Sequence, residues 1–249
     1  ITDTPPTIEP TIQSVFTLSS DENIETVSTL MSVSLLPDIS IPVQQNQPLM
    51  MLALNDTQQD VLVDHINPYL SMIEKWLASE DVQIIEETSD NEMYSNKSTF
   101  IMYDLTDQMI SYVMYYNIDE NTKTGIIIRD DSSFAFTSKY IENTLVYTTY
   151  KTNEDYTVIT FNESESVSYF DVEIFVSDIK IRDDKVTIGY DEEAQLTVQI
   201  DIDSDTVSAS YNFKLEQLES ELLIRYIYIE NNETERGVIK IGLSYNDVL

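Results

Sequence analysis

From Ala194 to Leu215 apolar and polar residues alternate almost without a break. Ala194, Leu196, Val198, Ile200 and Ile202 interleave with Gln195, Thr197, Gln199, Asp201 and Asp203. After Ser204-Asp205 the rhythm resumes with Val207, Ala209, Tyr211, Phe213 and Leu215. Period two with one apolar and one wet face marks a half-buried strand, so two such runs across a short polar link predict an antiparallel hairpin. Similar segments recur at 82–88, 97–104, 109–118, 124–130, 133–140, 144–151, 155–162, 166–177, 179–182, 185–190, 221–230 and 236–245. The links between them, such as Asp119 to Thr124, Asp130-Asp131, Asn153 to Asp155, Asp183-Asp184 and Asn231 to Glu235, are rich in turn formers. Met109 to Ile118 and Leu222 to Ile229 are apolar on both faces, which predicts places in the middle of a sheet.

Helical spacing is confined to the first third of the chain. Ser19 and Glu22 stand at capping-box spacing, Ile24, Val27, Leu30, Met31 and Leu35 fall on one face, and Pro37 ends the pattern. A longer amphipathic stretch runs from Asp56 to Ser79, with Leu62, His65, Ile66, Tyr69, Leu70, Ile73, Trp76 and Leu77 on its apolar side. Pro68 lies inside it and predicts a kink. The expected fold is therefore α+β and mostly β: a long antiparallel meander, curled or half-barrelled, packed on an N-terminal kinked helix. Residues 1–12, with three prolines and four threonines, read as a flexible tether, and 13–249 as a single domain with a helical part (13–80) and a meander (81–249).

Charge changes the picture of partners. Forty-five acidic residues against 13 basic ones give −32, a field that repels nucleic acid and anionic lipid. With no cysteine, disulfides and thiol chemistry are excluded. The missing cysteines and the Pro/Thr-rich opening resemble the make-up of many secreted bacterial proteins, so an extracytoplasmic place, secreted or attached to the cell envelope through the N-terminal tether, is expected. No run of eighteen apolar residues offers a transmembrane helix.

Little of the sequence points to chemistry. Asp201, Asp203 and Asp205 have the alternate-carboxylate spacing of a calcium loop, but Thr206 replaces the glycine at position six and Asn212 the glutamate at position twelve. A weak calcium site is the most this predicts, and solvated turn residues are the plainer reading; no other cofactor is expected. His65 is the one histidine and has no nucleophile elbow to serve. Four glycines leave no phosphate-binding loop. Ile126 to Asp131 and Ile179 to Asp184 share the pattern Ile-x-Ile-Arg-Asp-Asp, either a duplicated unit or two similar hairpin turns.

Sixteen tyrosines are the most suggestive feature. Tyr112 and Tyr116 share one face of a strand and Tyr226 and Tyr228 share one face of another, which together with Tyr69 and Trp76 outline a candidate ligand-binding wall; ordinary sheet packing is the alternative. The expected function is non-enzymatic binding of an apolar or amphipathic small molecule or peptide between helix and sheet. A surface interaction or adhesion module without a cavity is the alternative, and a hydrolase of unknown substrate the third.

Overall fold

The computed structural model describes residues 21–35, 82–103, 109–129, 131–142, 144–164, 167–192, 195–204, 208–217, 221–230 and 233–242. One helix, α1 (Asp21–Leu35), precedes β1 (Gln83–Thr88), β2 (Asn96–Tyr103), β3 (Met109–Asp119), β4 (Thr122–Arg129), β5 (Ser132–Ile141), β6 (Thr144–Tyr150) and β7 (Tyr156–Ser164). β8 (Val167–Val176), β9 (Ile179–Tyr190), β10 (Leu196–Ser204), β11 (Ser208–Gln217), β12 (Glu221–Glu230) and β13 (Glu233–Gly242) complete a 13-stranded sheet whose spatial order is the chain order. Every pairing is antiparallel, so the whole sheet is a meander built from local hairpins. The fold is mostly β with an N-terminal helix, as the hydrophobic pattern predicts. The stretch 56–79, with its expected kink at Pro68, lies outside the described residues.

The alternating run from Leu196 to Leu215 forms the β10–β11 hairpin, where Val198 faces Phe213 and Ile200 faces Tyr211. Extending that register across the ladders puts one side chain in two on a single core face. Phe100, Met114, Ile127, Phe136, Tyr147, Ile159, Phe170, Val186, Val198, Phe213 and Tyr226 are all buried there. α1 lies against this face at β6 and β7. Its hydroxyls turn inward: Thr29 Oγ1 donates to the Glu25 carbonyl at 2.8 Å, Ser32 Oγ to the Thr29 carbonyl at 2.8 Å, and Thr149 Oγ1 of β6 to Ser32 Oγ at 2.8 Å. Back-bonding of this kind satisfies Thr29 and Ser32 inside a buried helix, whereas Ser28 Oγ is buried without a hydrogen-bond partner among the described residues.

Two expectations change. The segments 179–182 and 185–190 are one strand, β9, and Asp183-Asp184 is not a link. Both neighbours pair straight through it, Asp184 standing opposite Ile202 on β10 and Val172 on β8. Asp184 stays extended because Arg182, two residues back on the same face, binds its carboxylate through Nε at 2.9 Å and through the guanidinium at 2.5 Å. The shared Ile-x-Ile-Arg-Asp-Asp pattern consequently occupies two unlike places, the end of β4 and the first half of β9. Nor do the two-sided apolar strands both sit mid-sheet. β12 is next to the edge, and Ile227 and Ile229 are exposed on its outer face.

With four glycines in the chain, the tight turns use other residues in left-handed geometry. Ser177 and Asp178 (φ 52° and 62°) make the two-residue turn between β8 and β9, and Glu120 (φ 53°) serves between β3 and β4.

Candidate ligand cleft and tyrosine face

Lys123, near the start of β4, points to the core face and meets Glu25 of α1 in an ion pair, the residues lying 98 positions apart. The Lys123 ammonium also sits 5.4 Å from the centre of the Tyr116 ring. Tyr116 in turn shares a hydroxyl hydrogen bond with Ser98 of β2 at 3.2 Å. Beside this group a cleft of about 250 Å³ opens between α1 and β1–β4, lined by Glu25, Thr26, Ile84, Glu86, Ser98, Phe100, Met114, Tyr116 and Lys123. A smaller one of about 190 Å³ lies against the same ion pair, with Ile118, Glu120, Asn121, Ser138 and Tyr140 in its wall. The cleft is amphipathic: Ile84, Phe100 and Met114 make an apolar floor, and the charged rim holds two carboxylates against one ammonium. One oxygen of Glu25, Oε1, is buried with no hydrogen-bond partner among the described residues.

The predicted tyrosines divide. Tyr112 and Tyr116 do share the core face of β3, both buried, but only Tyr116 reaches the cleft. The Arg129 guanidinium lies 5.7 Å from the Tyr112 ring centre. Tyr226 and Tyr228 share the core face of β12, nine strand positions from β3 in the sheet order. Tyr228 stacks on Tyr211 at 4.6 Å and donates to Glu230, while Tyr226 donates to Glu235 at 3.2 Å. Burial first, and then the neighbouring carboxylate, push the Tyr226 hydroxyl up to about 12. Tyr211 is pushed up to about 12, chiefly by burial, and Tyr228 is raised further by burial and its hydrogen bond to Glu230. These rings pack within the sheet, and neither Tyr226 nor Tyr228 lines the cleft. Tyr69 and Trp76 lie outside the described residues.

No family model, curated protein or solved structure matches this chain.

Sequence reasoning missed the residues that make the cleft distinctive. Glu25 and Lys123 are ordinary surface-type residues in an acidic chain, and nothing in their spacing announces that they meet. Arg182 and Asp184 carried a signal: they continue backwards the alternation of Val186 and Ile188. As to metal, Asp201 and Asp203 are outward residues inside β10, and Gln199 donates to Asp201 at 2.9 Å. Two positions along a strand separate them by roughly 6.6 Å of backbone, unlike the tight loop of a calcium site. Asp205 lies outside the described residues, and among those described no group of three or more metal-ligating side chains gathers.

Proposed function

We propose that this protein is a non-enzymatic binding protein, secreted or attached to the cell envelope, that takes a small amphipathic amine in the cleft between α1 and the first strands. The observation that carries this reading is Glu25, which lines a cleft with an apolar floor and holds one carboxylate oxygen, Oε1, buried without a hydrogen-bond partner among the described residues. A buried carboxylate oxygen without a donor is costly, and an N–H from a ligand would satisfy it. Glu86 on the rim and a chain charge of −32 favour a cation further. Size limits the guest: about 250 Å³ exceeds the ~150 Å³ that holds a benzene ring but falls short of the ~300–1,000 Å³ of sites for larger ligands. A single aryl or short alkyl group with an ammonium head fits this description. A curl of the sheet around α1 belongs to the same reading, because many twisted strands do not stay flat. The absence of cysteine supports the extracytoplasmic place.

Calorimetric titration of the full chain with 2-phenylethylamine, 2-phenylethanol and 3-phenylpropionate tests the proposal. Binding is expected for the amine, weaker for the alcohol and absent for the carboxylate, and Glu86→Gln should weaken the amine about tenfold. Equal binding of all three, or of none, would overturn the cleft reading and leave the surface-interaction module in its place.

A further inference from the structure

We infer that the protein associates head to tail, the outer edge of β13 in one copy pairing with the outer edge of β1 in the next. Among the described residues no strand covers either edge, and all six residues of β1 are exposed. An uncovered edge offers a row of unpaired backbone donors and acceptors to another strand. What singles out these two edges is the opposite charge of their outward faces.

The four basic residues nearest the C-terminal end of a chain of 13, Lys214, Arg225, Arg236 and Lys240, all face outward on β11–β13, on the side away from the core. Lys214 is paired with Asp191 at 2.7 Å and Arg225 with Glu216 at 3.1 Å. Arg236 and Lys240, on the edge strand itself, flank exposed Val238, and no ion pair to either is formed among the described residues. β1 carries the complement. Its outward positions hold Ile85, 37% exposed, and Glu87, with Glu86 on the core side and Asp90 just beyond. Lys97 of β2 reaches Glu87 at 3.5 Å and Asp90 at 3.1 Å, which leaves that end acidic on balance.

Translating one copy along the sheet, core faces aligned, sets β1 parallel to β13. In the register that places Val238 beside Ile85, Lys240 stands beside Glu87, so an apolar pair and a charge pair form together. The symmetric alternatives gain no charge pair. A two-fold β13–β13 pair centred on Val238 puts Arg236 opposite Lys240, like charges that destabilise when directly opposite, and a two-fold β1–β1 pair has no cation to set against Glu86 or Glu87. An interface that joins unlike edges does not close on itself as a two-fold pair, so association continues into longer oligomers. The net charge of −32 opposes the approach of copies, and salt near ~0.15 M, with a Debye length of ~8 Å, screens that repulsion more than it screens the close pair.

Sedimentation velocity over a concentration series of the full chain in moderate salt tests this, with circular dichroism as the check that each variant is folded. The native chain should show a sedimentation coefficient that rises with concentration. Arg236→Glu/Lys240→Glu, which blocks β13, and Ile85→Lys, which blocks β1, should each remain monomeric. A 1:1 mixture of the two variants retains one intact edge of each kind and should form a discrete dimer that grows no further. A native chain that stays monomeric throughout, variants that associate as the native chain does, or a mixture that stays monomeric would each overturn the inference.

Discussion

The two ends of the sheet face the same difficulty, charged and hydroxyl groups on a buried face, and resolve it differently. Toward β1–β7 the helix answers most of them: Lys123 pairs with Glu25 and Thr149 with Ser32, while Tyr147, whose hydroxyl burial raises well above its ordinary range, has no hydrogen-bond partner among the described residues. Toward β9–β13 they are answered within the sheet, Arg182 by Asp184, Tyr228 by Glu230 and Tyr226 by Glu235. The first end depends on a remote element being in place, whereas the second forms as soon as its hairpins do. The proposed ligand site lies at the first, where, among the described residues, the interface between helix and sheet leaves a cleft and an unsatisfied carboxylate oxygen.

The sharpest break in that comparison is at Asp184, which is 1% exposed. Asp184→Ala leaves the Arg182 guanidinium partly buried without its partner and should cost ~3–5 kcal/mol in urea denaturation. Replacing both, Arg182→Met with Asp184→Leu, should recover most of that loss, since an apolar pair avoids the desolvation of two charges. At the other end, Leu30→Ala removes a fully buried helix side chain and should cost ~2–5 kcal/mol.

Alkaline titration probes the tyrosines of the far end without mutation. Tyr211 and Tyr226 have hydroxyls raised from about 10 to about 12 by burial first. A folded-state value above the unfolded one means that the folded protein holds more protons in this window. The stabilisation is therefore complete below pH ~10 and declines as pH rises from ~10 toward 12. Tyrosinate absorbance should lag behind that of free tyrosine over this range and then rise steeply with unfolding. A simple titration near ~10 would show these rings to be accessible. The smallest effect lies in the turn between β8 and β9: Ser177→Gly relieves a left-handed residue and should raise stability by ~0.5–1 kcal/mol.

The far end was legible in the sequence because its contacts are local. Period two in Leu196 to Leu215 specifies which residues face inward, and short polar links force neighbours to pair. The error at Asp183-Asp184 has a physical cause. Residue type alone marks two aspartates as a turn, while the strand is held open by Arg182 two residues away and by partners on both sides. Helix α1 was legible from its apolar spacing, yet its cleft was not. Glu25 and Lys123 meet through tertiary packing, which no periodicity records. The outward cations of β11–β13 could have been found by carrying the alternation to its polar side, since Lys214 and Glu216, then Arg225, Ile227 and Ile229, share a parity opposite to the buried residues.

The dependence of one end on the helix is tested most directly by hydrogen exchange, strand by strand, comparing the native chain with Leu30→Ala. Loss of the helix contacts should lower amide protection in β4–β7 while β9–β12 keep theirs, because the polar groups of those strands are satisfied within the sheet. An equal loss of protection across all thirteen strands would contradict the account, showing that the two ends stand or fall as one unit.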